Sequence, residues 1–393
     1  MKFGRPRSIP VWPALWGWTV VWALIQVKGA GGTWRYFLQG EGLLFGQGPG
    51  SGLHLYAAHP ELQIGPISFV AAWPIHFIGP MHGRVLAVLL MSCTGPLLLA
   101  ALWRLAPTRR TPGRLLGAGL VFLPGWALLA THAGHLDDVL ALSFGVAAMS
   151  AAARRHPVLT GLLLAVAADS KPWAAAFVAL LLVFRGRSLV LGLASWAAGL
   201  AVVWLPFVLY DPRTLNAAHF TIEVARSSSL RLLGVMASAT PSWDRPAQLL
   251  LGCGLAAVAV LRGRWAGVIA LATAARVLLD PEVYGYYTSG VLLGAVAYDL
   301  IGTRHRWPVL TLAGTLTLYV PRLIPHLSLS AMGLLRLGYV VFAVAFVLLP
   351  RTVPAPSCTR TGRSRWVRAT PRPGWCGCRG AAAAGPWCGR RPA

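Results

Sequence analysis

Residues 189–209 read LVLGLASWAAGLAVVWLPFVL, an apolar run without a single charged side chain. A run of this length is long enough to cross a membrane as one α-helix. Similar apolar runs recur from one end of the chain to the other. Hydrophobic residues make up 56% of the sequence and charged residues only 12%, about half the charge of an ordinary soluble domain. The sequence therefore predicts an all-α, polytopic membrane helix bundle with no separate soluble domain.

We predict about twelve membrane-spanning helices in the cell membrane, with both chain termini in the cytoplasm. Two of the predicted spans are shorter than a membrane normally requires, so we expect them to be extended, tilted or partly broken. They are 157–168 and 172–184. The other ten are 11–27, 85–103, 115–131, 138–153, 189–209, 247–261, 265–279, 284–301, 308–323 and 330–349.

One further apolar run, 63–78, is expected to lie along the outer membrane surface as a juxtamembrane helix. Its prolines make it a poor spanning helix. Leaving it outside the membrane also places the arginine clusters between spans on the cytoplasmic side, as the positive-inside rule requires. Two long outer loops result, the first over 28–84 and the second over 210–248.

The net charge of +24 comes largely from short basic clusters between apolar runs. This placement is typical of cytoplasmic loops and not of a nucleic-acid-binding surface. The chain is predicted to divide into a membrane domain, 1–353, and a basic, disordered cytoplasmic tail, 354–393, which has eight arginines and no acid. A tail of this composition could also come from an accidental reading frame. Cysteine spacing predicts no metal site or cofactor.

The segment Thr131–Asp138, which reads THAGHLDD, is the first candidate for chemistry. Ionisable groups at membrane depth usually face a cavity, a partner or a substrate. One carboxylate, Asp138 or Asp137, would accept a proton from an attacking hydroxyl. Two alternatives stay open: a metal site formed by His132, His135 and Asp138, or a helix N-terminus capped by Asp137. If the roles divide, we expect Asp137 to cap the helix and Asp138 to face the outer cavity.

Several cations interrupt apolar stretches and are candidate ligands for a lipid phosphate. Lys171 lies at the outer side against the positive-inside trend, so its partner is either a phosphate or nearby Asp169. Arg276 lies one helical turn before Asp280 and is expected to pair with it, whereas snorkelling to the interface is the alternative for both intramembrane arginines. The candidate phosphate-binding residues are Lys171, Arg231, Arg276 and Arg336.

Aromatic and acidic residues complete the candidate site. Tyr284 and Tyr287 are either interfacial belt residues or a surface on which a sugar ring stacks. Glu41 and Glu61 in the first outer loop are the remaining candidate catalytic acids near helices. His135 is expected to contact substrate from the segment Thr131–Asp138, which we call the site loop.

The chain resembles membrane-embedded C-class glycosyltransferases that use polyprenyl-phosphate sugars, especially bacterial mannosyltransferase-like proteins. The resemblance covers about residues 10–350 and implies sugar transfer at the outer membrane face, with a lipid-linked donor and no cofactor. It rests on short motifs: Tyr36-Phe37, Gly46, Tyr56, His59-Pro60-Glu61, Gly134–Asp138 and Gly161 through Lys171-Pro172-Trp173.

One departure from that family concerns the start of the first outer loop. The family usually carries an aspartate just ahead of the tyrosine pair, whereas residues 31–35 read GGTWR. Glu41 or Glu61 would then substitute, Asp137 or Asp138 would take over, or the protein would be an inactive membrane scaffold. Another function class stays open, that of a polytopic transporter or lipid flippase. The expected function is transfer of mannose or another sugar from polyprenyl phosphate to an acceptor hydroxyl.

Overall fold

The computed structural model describes residues 10–106, 111–282 and 284–349. Throughout this part of the chain the ordered elements are helices, and the pairing of Glu223 with Ala239 is an isolated bridge and not part of a strand. The all-α prediction is therefore confirmed for the described residues. The predicted basic tail lies outside them.

Fifteen α-helices follow one another along the described residues. They are α1 (Val11–Ile25), α2 (Trp34–Leu44), α3 (Leu55–Ala58), α4 (Pro66–His76), α5 (Pro80–Leu105), α6 (Pro112–Ala127), α7 (Leu136–Ala153), α8 (Pro157–Ser170), α9 (Gly186–Tyr210), α10 (Ser229–Leu232), α11 (Asp244–Leu261), α12 (Val268–Leu279), α13 (Tyr287–Ala297), α14 (Val309–Gly314) and α15 (Leu329–Leu348). Shorter π and 3-10 segments extend or connect several of them.

Six helices in the described residues are long and apolar enough to cross a membrane. They are Pro80–Leu105, Pro112–Ala133, Leu136–Ala153, Gly186–Tyr210, Asp244–Leu261 and Leu329–Leu348. The prediction of a membrane helix bundle is thus supported by length and composition. The other predicted spans correspond to shorter helical segments.

One of the two short predicted spans is an unusually long 3-10 helix, Pro172–Val183. A 3-10 helix rises about 2.0 Å per residue, against about 1.5 Å in an α-helix. Its 12 residues therefore reach about 24 Å instead of about 18 Å. The tighter winding lengthens a segment that would otherwise fall well short of a membrane's thickness.

The bundle has a buried centre and an apolar outer surface. Helices α12 and α13 are buried along nearly their whole length. Helix α9 lies outside and exposes apolar side chains such as Val202 (76%) and Leu209 (73%). It packs closely against α8. At Gly161 of α8, an added Cβ would come within 2.2 Å of the carbonyl oxygen of Gly192 in α9, so only glycine allows this approach. An exterior of this kind suits contact with lipid.

The two ends of the bundle differ in charge. At the arginine end, Arg155 donates to the Val183 carbonyl oxygen at 3.3 Å, Arg264 donates to the last carbonyls of α15, and Arg114 donates to Thr303. At the opposite end, the acidic end, α7 begins and α8 and α12 finish. The carboxylates of Asp137, Asp138 and Asp280 lie there.

Candidate functional site

The site loop is docked against the first long loop through backbone hydrogen bonds. The N–H groups of Gly31, Gly32 and Thr33 donate to carbonyls of residues 131–133 at 2.9, 3.2 and 2.9 Å. Gly134 then turns the chain with φ +69°, and a Cβ there would lie 2.6 Å from Gly31 Cα. Residues 31–33, which carry no acid, therefore lie directly on the loop that leads into α7 and its two acids.

Asp137 is fully buried and forms an ion pair with Lys171. Lys171 Nζ lies 2.5 Å from Asp137 Oδ2 and also donates to the Gln63 carbonyl oxygen at 3.0 Å. The other carboxylate oxygen accepts from the backbone N–H of Asp138 at 2.9 Å, but the N-cap residue of α7 is His135 and no side chain caps this helix, so the expected cap by Asp137 is not formed. Asp169, the nearby acid weighed as the partner of Lys171, does not form this pair.

Asp138 belongs to a second ion pair. Its Oδ1 accepts from Arg276 Nη1 and from Trp173 Nε1, each at 2.9 Å. The expected pair between Arg276 and Asp280 is present at 3.6 Å, and the guanidinium lies over the Tyr287 ring at 4.0 Å. Asp138 Oδ2 is buried without a hydrogen-bond partner in the described residues. One oxygen of this carboxylate is therefore enclosed, with unused hydrogen-bonding capacity.

His135 connects the two carboxylates. Its Nδ1 lies 3.3 Å from Asp137 Oδ1 and 3.9 Å from Asp138 Oδ2, while its ring stacks on Tyr286 at 3.8 Å. Tyr284 stacks in turn on Tyr286 at 5.4 Å. The tyrosine run thus forms an aromatic wall beside the charged groups.

Two cations, Lys171 and Arg276, compete with a metal ion at this site. One ligand atom each from His135, Asp137 and Asp138 lies within 4.8 Å of the others. Lys171 and Arg276 already neutralise both carboxylates, so a metal would have to displace an ammonium and a guanidinium. His132 is exposed and stands outside this group. The arrangement therefore favours two ion pairs over a cation site.

A cavity of about 580 Å³ adjoins the ion pairs. Its wall is largely apolar, and Arg276 and Trp173 form its boundary with Asp138. Asp138, which is 3% exposed, does not line it. The expectation that Asp138 faces the cavity is therefore wrong for this arrangement. Arg276 and Trp173, which donate to Asp138, lie between its carboxylate and the cavity.

A second, open pocket adjoins the cavity at the outer surface of the bundle. An open apolar groove of about 400 Å³ runs between the 3-10 segment Pro172–Val183 and helix α9. Cavity and groove share Pro172, Trp204 and Val208. The groove on the exterior of α9 is thus a neighbour of the cavity that Arg276 lines.

Two predicted phosphate ligands lie elsewhere. Arg231 donates to the Val224 carbonyl oxygen at 2.9 Å within the second long loop. Arg336 is buried in α15 at 8% exposure. Within the described part of the chain, neither residue lines the cavity or contacts Asp137 or Asp138.

The two acids of the first long loop are engaged separately. Glu41 is buried in α2 and lies 2.7 Å from His76, and burial raises the pKa of its carboxyl, an effect that His76 opposes. Glu61 is half-exposed and lies 3.3 Å from His59. Neither contacts the ion pairs of α7, which leaves Asp137 and Asp138 as the carboxylates of the site.

Two other acids at the acidic end, Asp211 and Asp280, have shifted pKa values. Hydrogen bonds from Arg213 and His54 hold the pKa of Asp211 well below its usual range. Burial raises the pKa of Asp280 to about 6, against the opposing charge of Arg276. Asp280 lies 3.6 Å from the guanidinium of Arg276, farther than Asp138 at 2.9 Å.

Sequence reasoning missed Arg245, which lines the cavity together with Arg276. Arg245 precedes a span at the acidic end, the same departure from the positive-inside trend that singled out Lys171. Trp173 was noted only as part of a motif, yet its indole N–H binds Asp138. Its position two residues after Lys171 was the available signal.

Comparison of the chain with protein-family models, curated proteins and solved structures found no match.

Proposed function

We propose that the protein transfers a sugar from a polyprenyl-phosphate donor to an acceptor hydroxyl at the acidic end of the bundle. The observation that carries the proposal is the cavity, whose wall is largely apolar and includes Arg276, the cation paired with Asp138. A lipid phosphate needs this combination: apolar walls for the chain and a guanidinium for the head group.

The route into the cavity supports a donor that arrives from the membrane. The groove beside α9 is apolar, and α9 exposes its side chains to the exterior. A donor could enter sideways with its chain still in lipid and its phosphate drawn towards Arg276 and Arg245. Trp173 and Trp204 at the cavity wall offer aromatic faces for the sugar.

The proposed chemistry assigns one role to each group. Asp138 accepts the proton of the acceptor hydroxyl as its oxygen attacks the anomeric carbon, and the phosphate leaves with the bonding electron pair. Arg276 and Arg245 stabilise the charge on the leaving phosphate. Asp137 and Lys171 hold the loop and the end of α8 together, so that Asp138 keeps its position.

We further propose that twelve helical segments cross the cell membrane, with the arginine end and both termini in the cytoplasm. The charge difference between the ends supports this orientation. Helix α4 supports the outer juxtamembrane assignment, because Gly65 before it bonds to the end of α8 at Ser170 and α5 starts directly after it. An 11-residue helix spans only about 16 Å, too little to cross.

The test is sugar transfer in membranes that contain the protein, with radiolabelled polyprenyl-phosphate mannose as donor. Wild type should transfer label to lipid or glycan acceptors, and Asp138→Asn should lower turnover at least 10²-fold. A nucleotide sugar should not replace the lipid donor. If wild type fails with several lipid-linked sugars but moves them across vesicle membranes, the protein is a transporter or flippase.

A further inference from the structure

Arg276 and Trp173 close Asp138 off from the cavity. Both residues line the cavity, and both donate to Asp138 Oδ1 at 2.9 Å. A hydroxyl in the cavity cannot reach this oxygen while the two donors remain in place. In this arrangement the proposed base is therefore covered from the cavity.

Arg276 has several competing contacts. Besides the 2.9 Å hydrogen bond to Asp138, it lies 3.6 Å from Asp280, 4.0 Å from the Tyr287 ring centre and 4.6 Å from the Trp173 ring centre. Guanidinium has five N–H donors in a planar fork, which suits bidentate binding of a phosphate. A phosphate at the end of the cavity would thus compete with Asp138 for the same donors.

We propose that Arg276 changes partners when the donor binds. Its guanidinium leaves Asp138 for the phosphate of a polyprenyl-phosphate lipid, and the released carboxylate becomes able to accept a proton. The inference rests on the proposed donor class. It makes Arg276 a positioning residue as well as a phosphate ligand, because it uncovers the base only when a donor is present.

Exchange of one guanidinium between two anions has a measurable consequence. A carboxylate that competes with the phosphate must weaken phosphate binding, and the coupling is reciprocal. Removing the charge of Asp138 should therefore tighten binding of the lipid phosphate. If Asp138 merely contacted the substrate, its replacement would weaken binding of the lipid phosphate or leave it unchanged.

The experiment measures equilibrium binding of polyprenyl phosphate, without sugar, to the purified full-length chain in nanodiscs. We expect Asp138→Asn to bind at least about fivefold more tightly than wild type, a typical lower limit for coupling between sites. In an Arg276→Gln background the same change should have no effect. Equal affinity of wild type and Asp138→Asn would overturn the proposal, as would tightening that persists without Arg276.

Asp137→Asn is the charge-matched control. It removes the neighbouring carboxylate and frees Lys171, which does not line the cavity. Affinity should change less than about twofold, below the coupling between sites. If this variant does not fold, Glu223→Gln replaces it, because Glu223 is exposed in the second long loop and does not line the cavity. Tightening by the control equal to that of Asp138→Asn would show a general charge effect and overturn the exchange.

Two further probes identify the source of the phosphate. Polyprenol, which lacks phosphate, should bind wild type and Asp138→Asn equally, and inorganic phosphate should not compete with the lipid. Competition by inorganic phosphate, or tightening with polyprenol, would overturn a lipid-phosphate exchange. The binding experiment contains no sugar. Equal affinity of wild type and Asp138→Asn for polyprenyl phosphate would therefore contradict only this inference, whereas failure of sugar transfer alone would contradict only the proposed function.

Discussion

At the scale of single residues, Asp137 and Asp138 are neighbours in sequence that belong to different ion pairs. Successive residues at a helix start point about 100° apart, so the two carboxylates separate towards different cations. Asp137 turns to Lys171 and Asp138 to Arg276. The sequence predicted that the two carboxylates would point apart, but as a helix cap and a cavity residue and not as members of two ion pairs. It also left open the partner of Lys171, since Asp169 is much closer along the chain.

Asp137→Asn should destabilise the protein by up to about 3 kcal/mol, because it leaves the largely buried Lys171, 14% exposed, without its counter-charge. Adding Lys171→Met should restore part of this loss, with a coupling energy of about 0.5–3 kcal/mol between the two sites. Unfolding in mixed micelles measures the four free energies of this double-mutant cycle. Strictly additive costs would mean that the ion pair does not hold the loop.

Glu41→Gln should raise the free energy of unfolding at pH 8 by up to about 1 kcal/mol and change it little at pH 5. Burial raises the pKa of Glu41, so the native protein favours the protonated carboxyl. The penalty for the charged form is absent at low pH and grows as pH rises through the native pKa. A stabilising effect confined to pH 5 would contradict this sign.

At the scale of elements, the start of α7 depends on its contact with the first long loop. The three backbone hydrogen bonds between residues 31–33 and 131–133 join segments about 100 positions apart. Apolar periodicity predicted α7 itself, since such a pattern is local. It could not predict the docking, because backbone hydrogen bonds leave no signature in side-chain type except the glycines that permit close approach.

Gly134→Ala should disrupt this docking. The left-handed conformation alone costs a residue with a Cβ about 1–2 kcal/mol, and the contact with Gly31 Cα at 2.6 Å adds to it. We expect a loss of at least about 2 kcal/mol in stability and a loss of transfer activity. Gly17→Ala is the control, since no atom lies within 4 Å of its Cβ and alanine favours a helix. Equal behaviour of the two variants would contradict a close approach at Gly134.

At the scale of the whole molecule, charge separates the two ends of the bundle. Most acids lie at the acidic end together with several arginines, among them Arg276 and Arg245, whereas the arginine end has one acid in the described residues. This acid is buried Asp299, which accepts the N–H groups of Leu310 and Thr311 at the start of α14. Sequence predicted this separation, since the clusters are visible between apolar runs. The cavity was not predictable, because its wall combines the first and second long loops with the helix ends.

Cysteine labelling tests the orientation in a background from which the native cysteines have been removed. Met236→Cys and Trp307→Cys replace side chains of similar exposure, 73% and 62%, at the acidic and arginine ends. In intact cells a membrane-impermeant thiol reagent should label only Met236→Cys. Trp307→Cys should react after permeabilisation. The reverse pattern would invert the bundle and place the site in the cytoplasm.

The central claim is that the cavity and the ion pairs form a single site for a lipid phosphate. A photoreactive polyprenyl phosphate, followed by peptide mapping of the labelled positions, tests it most directly. We predict label in 204–219 and 242–249, which contribute much of the cavity wall, and its suppression by unlabelled polyprenyl-phosphate mannose. Labelling spread over all outward-facing helices, or insensitive to the unlabelled donor, would contradict the claim.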